Sequence, residues 1–257
     1  MLRVTRFLNP TLWVFAAALL VGHAFIQAEP IRVMPVGDSI TRGLANAGPI
    51  PGGYRTKLYN RLATQWFTAS GVDFVGSQND NPDPANLPDP DHEGRGGWRI
   101  DQHIATIDAA IRIYHPAVVL LHLGTNDVAQ DYALATAPSR LDQLISLIVA
   151  SSPGTHVVVA QIINSPNAIE SAQIQAFNAA IPAIVTAHQN AGHLVSLVNM
   201  YGVVSPGNMG DTYHPNKAGY DQIADAWFAA VVALGSISNP VLPVIPGDSI
   251  AKFCGDY

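Results

Sequence analysis

The sequence predicts a three-layer α/β domain in which a five-stranded parallel sheet lies between helices. Two observations carry this. From Pro30 onward, short β-branched apolar runs alternate with segments of helical period, as expected of a parallel sheet whose crossovers are helices. The 257 residues are 48% hydrophobic and 12% charged, which supplies a core large enough for one such domain.

The strands fall at residues 31–36, 72–76, 117–123, 156–162 and 194–198, each a short apolar run closed by Gly, Pro, Asn or Asp. Between them Ile100, Ile104, Ile107, Ile111 and Tyr114 recur at spacings of four, three, four and three, which puts them on one buried stripe of a helix. Leu141, Leu144, Ile145 and Ile148 repeat that stripe. Residues 170–191 are also helical in pattern, and Pro182 is expected to kink or divide that helix because it has no N–H and crowds the preceding turn. A last helix over 216–234 turns Tyr220, Ile223, Ala224, Trp227, Phe228 and Val231 to the core. Residues 44–53 are rich in Gly and Pro, and residues 77–97 hold Pro82, Pro84, Pro88 and Pro90 among Asp and Asn. Both stretches predict long irregular loops.

The two ends differ in kind from the rest. Arg3 and Arg6 precede an apolar run over 12–26 that closes at the small residue Ala28, the layout of a secretory signal and short for a bilayer span. Residues 1–28 are therefore expected to be a signal peptide cut after Ala28, residues 29–235 the folded domain, and residues 236–257 a Pro-containing tail. A secreted, extracellular protein follows, with no stable membrane association once the signal is removed. Cys254 is the single cysteine, so no internal disulfide can form and stability must come from packing. The net charge of −6 and the absence of any Lys/Arg cluster argue against nucleic acid as a partner.

Chemistry concentrates in four short segments. Ser39, in Gly37-Asp38-Ser39-Ile40, follows the first strand at the carboxyl edge of the sheet, where open parallel sheets place their ligand crevices. A serine hydroxyl is a weak nucleophile and needs a base. His214, in Asp211-Thr212-Tyr213-His214-Pro215, supplies one, and Pro215 keeps it in the loop before the last helix. Asp211, three residues earlier, is placed to accept Nδ1–H, fix the tautomer and stabilise the imidazolium. Acyl transfer also needs donors aimed at the oxyanion. Asn126, in Gly124-Thr125-Asn126-Asp127, ends the third strand and donates without titrating; Gly97 lets backbone approach a substrate closely; the Ser39 N–H is a third donor. The plain alternatives are helix caps at Asp38, Ser39 and Asn126 and a polar turn at 211–215. Among the other histidines, His122 reads as a core residue, His103 and His115 sit on or beside a helix, and His156, His188 and His193 lie at element edges. His92, in the irregular loop, is a candidate substrate contact.

Together these segments, with His92-Glu93-Gly94-Arg95-Gly96-Gly97-Trp98, resemble the SGNH hydrolases, also called the GDSL esterase/lipase family. Isoleucine stands at position 40 where the family name has leucine, and the likeness spans residues 31–235. It implies a flavodoxin-like sheet, Ser39 as nucleophile, Ser39, Gly97 and Asn126 as oxyanion donors, and Asp211 with His214 as the rest of a catalytic triad. The segments 34–41, Gly52-Gly53-Tyr54-Arg55 and 92–98 look like the carbohydrate esterase family 3 branch, whose activities include acetylxylan esterases. Glu93 and Trp98 would then shape an acyl or sugar pocket. The implied function is hydrolysis of short-chain, chiefly acetyl, esters of carbohydrate such as acetylated xylan through an acyl-enzyme, without a cofactor. The rivals are a GDSL-type lipase, lysophospholipase or thioesterase and a non-catalytic carbohydrate-binding protein. Asp80, Asp83, Asp89 and Asp91 crowd one loop without the spacing or glycine of a calcium loop, and no zinc pattern occurs, so no metal is expected.

Overall fold

The computed structural model describes residues 28–45 and 48–241. The expected signal peptide up to residue 27 and the tail beyond 241, with Cys254, lie outside the described residues. Six parallel strands form one sheet: β1 (Ile31–Gly37), β2 (Val72–Phe74), β3 (Glu93–Gly94), β4 (Val118–His122), β5 (His156–Ala160) and β6 (Val195–Val198). The main order is β2-β1-β4-β5-β6. The chain thus leaves β1 to one side for β2 and comes back on the other side for β4. The carboxyl ends of β1 and β4 flank the point where the connections reverse, which is where such sheets leave a crevice.

All five expected strands are present, and β3 corrects the reading of 77–97 as wholly irregular. β1 pairs with β2 only as far as Val33 with Phe74; beyond it Val36 pairs with Glu93 and Gly37 with Gly94. The loop thus takes over the edge of β1 where β2 stops, and backbone groups that would otherwise be unpaired in the interior are satisfied. A two-residue strand has no periodicity to read.

Alternation along the strands sorts the core into two layers. Met34, Val36, Val119, Leu121, Val157 and Val159 pack with helices α3 (Ile100–Ile104), α4 (Ile107–Tyr114), α6 (Ala137–Ser151) and α7 (Ala168–Asn190). Val33, Val118, Leu120, Val158 and Ala160 face the opposite way, onto α2 (Tyr54–Arg61) and α8 (Lys217–Ala233). The short helices α1 (Ser39–Arg42) and α5 (Thr125–Ala129) begin at the carboxyl edge. The expected helix over 100–114 is interrupted after Ile104, yet Ile100, Ile107 and Ile111 keep one buried face.

Pro182 does not divide α7, which runs unbroken from Ala168 to Asn190. Proline costs a helix because the carbonyl four residues back loses its donor. Here that carbonyl, on Asn178, accepts instead from Gln161 Nε2 at 3.2 Å. The Asn178 side chain also accepts from Ile162 N at 2.9 Å and donates to Ile162 O at 2.8 Å, tying the helix to the chain leaving β5. Near the other end of the chain Asn239 accepts from Arg32 N at 3.0 Å and donates to Pro30 O at 2.8 Å, so this part of the tail lies along the start of β1.

Candidate active site

Asp38 and Ser39 follow β1 directly, and Asp38 Oδ1 accepts from Ile40 N at 2.9 Å to cap α1. From the opposite end of the chain, the loop after β6 brings His214 Nε2 to 2.8 Å from Ser39 Oγ. His214 Nδ1 lies 2.9 Å from Asp211 Oδ2 and 3.1 Å from Oδ1. Asp211 Oδ1 also accepts the backbone N–H groups of Tyr213, at 2.7 Å, and His214, at 2.8 Å. Burial works against the Asp211 charge, but those two N–H groups and His214 outweigh it and hold the carboxyl below its usual range. An ionised Asp211 requires a proton on Nδ1, which leaves Nε2 as the acceptor facing the serine hydroxyl. This is the arrangement in which a serine is activated by an oriented imidazole.

The other candidate oxyanion donors come from the chain leaving β4 and from the 92–99 segment. Gly124 turns the chain out of β4 at φ +131, and a Cβ there would meet the Phe177 ring at 2.6 Å, so glycine is required both for conformation and for space. Asn126 follows in the first turn of α5, where one amide hydrogen goes to Trp98 O at 2.9 Å. A side-chain amide carries two, so one remains for a substrate. Gly97 has φ +79, and the Gly97 and Ser39 N–H groups donate to nothing else among the described residues. Arg95 N bonds Gly37 O at 2.9 Å, and a Cβ on Gly96 would come within 4.0 Å of Ser39 Cβ. The turn carrying Gly97 is therefore fastened beside Ser39.

A family model described as GDSL-like lipase/acylhydrolase matches residues 36–222, from the end of β1 into α8. The chain belongs to that family. Among solved structures, this GDSL-like chain is similar to a family 3 carbohydrate esterase from Clostridium thermocellum, with 34% identity and a TM-score of 0.67 over 81% of this chain and 100% of that one. It is also similar to a family 3 carbohydrate esterase from Talaromyces cellulolyticus, with 29% identity and a TM-score of 0.68 over 79% and 97% of the two chains. A multidomain esterase of Ruminococcus flavefaciens is 27% identical over 229 residues, which is 79% of this chain but only 29% of that relative's length.

Two residues expected to contact substrate are turned inward in this member of the family. His92 is fully buried; its Nδ1 accepts from Gly94 N at 2.9 Å and its Nε2 faces Asp80 O at 3.2 Å. Burial lowers its pKa to about 4, so the ring is neutral and Nε2–H is the donor to Asp80. Glu93, 1% exposed, accepts from Ser77 N at 2.9 Å, Ser77 Oγ at 2.7 Å and Arg95 Nε at 2.9 Å. Both side chains build the loop and do not line the crevice. Trp98 is half-buried, edge-on to His103 with ring centroids 5.2 Å apart, and the Arg95 guanidinium lies 4.6 Å from its ring. His122 is a core residue, and neither of its nitrogens has a partner among the described residues. Asp89 accepts from Phe74 N at the end of β2 and Asp83 from Thr56 Oγ in α2, and no three His, Cys, Asp or Glu side chains converge as a metal site among the described residues.

Arg55 is the main supporting residue that the sequence reading left without a role. Its fully buried guanidinium reaches the carbonyls of Thr41 at 3.1 Å, of Arg42, Asp80 and Asn81 at 3.4 Å, and of Pro90. It joins the end of α1, which begins at Ser39, to the loop that ends in Gly97. A signal was available: positions 55, 58 and 62 share one helical face, and Leu58 and Leu62 mark that face as buried.

Proposed function

We propose that the chain is a secreted serine esterase that removes short acyl groups, chiefly acetyl, from carbohydrate such as acetylated xylan. The observation that carries the ester chemistry is the hydrogen-bonded series Ser39–His214–Asp211, at 2.8 and 2.9 Å, beside unspent donors on Ser39, Gly97 and Asn126. In the first half-reaction His214 Nε2 takes the proton of Ser39 Oγ as the oxygen attacks the ester carbonyl. The Ser39 and Gly97 N–H groups and the Asn126 amide hold the negative oxygen. His214 then returns its proton to the departing sugar oxygen. In the second, His214 deprotonates water, which attacks the acyl-serine, and as the C–O bond to Ser39 breaks His214 gives that proton to Ser39 Oγ, releasing acetate and restoring the free enzyme. No step needs a cofactor.

The carbohydrate part of the proposal is supported by the likeness to family 3 carbohydrate esterases, and the acetyl part by the resemblance of segments 34–41, 52–55 and 92–98 to the branch whose activities include acetylxylan esterases. Export rests on the basic, then apolar, then small-residue order of the first 28 residues. The test is acetate release from acetylated xylan set beside other acetylated glycans, by the wild type and Ser39→Ala. Release that survives Ser39→Ala would overturn the nucleophile. Activity on aryl esters that rises from acetate to decanoate, with no acetate released from any glycan, would favour a lipase.

A further inference from the structure

The loop over 199–216 must hold Asp211 and His214 against a nucleophile carried by a different part of the chain. Residues 209–215 hydrogen-bond mostly among themselves: Gly210 N and Asp211 N donate to His214 O, and Met209 bridges to Pro215. Among the described residues, two hydrogen bonds of this segment reach beyond the loop. One is His214 Nε2 to Ser39 Oγ, which the reaction itself breaks and re-forms. The other is Tyr213 Oη to Glu170 Oε1, at 2.5 Å. Glu170 lies in the first turn of α7, whose N-terminus Asn167 caps through Ile169 N and Glu170 N. Its second oxygen accepts from Ser165 Oγ at 2.8 Å, so the carboxylate is fixed from two sides.

We propose that Tyr213 and Glu170 are a positioning pair that latches the Asp211/His214 loop to the start of α7 and keeps the imidazole aligned while its bond to Ser39 is broken. The coupling runs through a short path. The backbone N–H of Tyr213 holds Asp211 Oδ1 at 2.7 Å, and that same oxygen accepts from His214 N. The Tyr213 ring stands edge-on to the imidazole, at 84° with centroids 6.5 Å apart. Its hydroxyl pKa is pushed up to about 12, first by the bond to Glu170, so the tyrosine stays a donor across the working range of an esterase. Neither side chain reaches the reacting atoms; the pair acts through Asp211 and His214.

This inference rests on the esterase reading, and its test separates the two. Turnover of p-nitrophenyl acetate is measured for the wild type, Ser39→Ala, Tyr213→Phe, Glu170→Ala, Glu170→Gln and the double variant Tyr213→Phe/Glu170→Ala. Tyr213→Phe and Glu170→Ala should each lower kcat about tenfold with KM changed less than about twofold, since misplacement of a catalytic group slows chemistry more than binding. The double variant should be no slower than the slower single one, because both remove the same bond. Glu170→Gln keeps Oε1 as acceptor and should recover most of the rate. Melting points should stay within about 4 °C of the wild type, as one partly exposed hydrogen bond implies. A Tyr213→Phe kcat within twofold of wild type, losses that multiply in the double variant, or a raised KM at unchanged kcat each overturn the pair while Ser39-dependent turnover stands. Full turnover by Ser39→Ala overturns the esterase reading and the pair's role with it.

Discussion

Asp38, immediately before Ser39, opposes the stability of the domain at neutral pH, and replacing it by asparagine should separate that cost from its part in the proposed chemistry. The carboxyl is fully buried. Oδ1 accepts from Ile40 N at 2.9 Å, while Oδ2 has no partner of good geometry among the described residues, and neither has the Thr125 hydroxyl beside it. Burial raises the pKa from 3.8 to about 6, against the Ile40 N–H and the charge of His214, which favour the carboxylate. At 1.36 kcal/mol per pKa unit, ionised Asp38 costs the fold about 3 kcal/mol at pH 7. The folded state holds the proton more tightly than the unfolded chain. The contribution of Asp38 to stability is therefore full below pH 3.8, falls as pH rises to about 6, and stays lost above it. Asp38→Asn keeps the Oδ1 acceptor and an equally good cap, and puts an amide donor beside Thr125 Oγ. The variant should gain about 2–3 kcal/mol at pH 7 and nothing at pH 3.5, read from urea unfolding across that range. Asp89 and Asp91 also have raised pKa values, but they titrate in both proteins, so the difference between the two curves isolates position 38. Turnover should fall by about tenfold, because the carboxylate charge that His214 feels also stabilises the imidazolium. A variant no more stable than wild type at pH 7, or one whose advantage is the same at both ends of the pH range, refutes the assignment.

Two further changes test the supports of the site. Asn126→Ala should lower kcat on aryl acetates by about 10²–10³ with KM changed far less, the usual effect of losing an oxyanion donor, and a rate within threefold of wild type would remove Asn126 from that role. Arg55→Lys replaces a fork that reaches five carbonyls by a single ammonium. Leaving several buried carbonyls without donors should cost on the order of 3–5 kcal/mol, a drop of about 10 °C or more in Tm by circular dichroism, and a drop under about 3 °C would show that the guanidinium is not what holds the loop.

What the sequence disclosed and what it hid follow one physical division. The strands were legible because a sheet covered on both faces needs continuous apolar runs, such as Val118–His122, and no loop imitates them. Ser39, Asp211 and His214 were legible for a related reason: a strand end fixes the place of the first, and Pro215 holds the last outside a helix. The loop over 77–97 has no period to announce which way its polar side chains point. Their direction is set by backbone groups that the fold leaves without partners. Gly94 N takes His92 Nδ1, Ser77 N takes Glu93, Phe74 N takes Asp89, and five carbonyls take Arg55. A long loop folded against a sheet must meet these demands before it can offer anything to a substrate, since an unpaired buried N–H or C=O costs about 1–3 kcal/mol. Its rich polar content measures that internal demand, which is why His92 and Glu93 read in the sequence as substrate contacts while in the fold they are buried and spend their polar atoms on internal bonds. The groups that remain available are those with donors left over, namely the N–H of Gly97, the N–H of Ser39 and the second amide hydrogen of Asn126, and these are the donors that the proposed mechanism assigns to an ester oxygen as it gains charge.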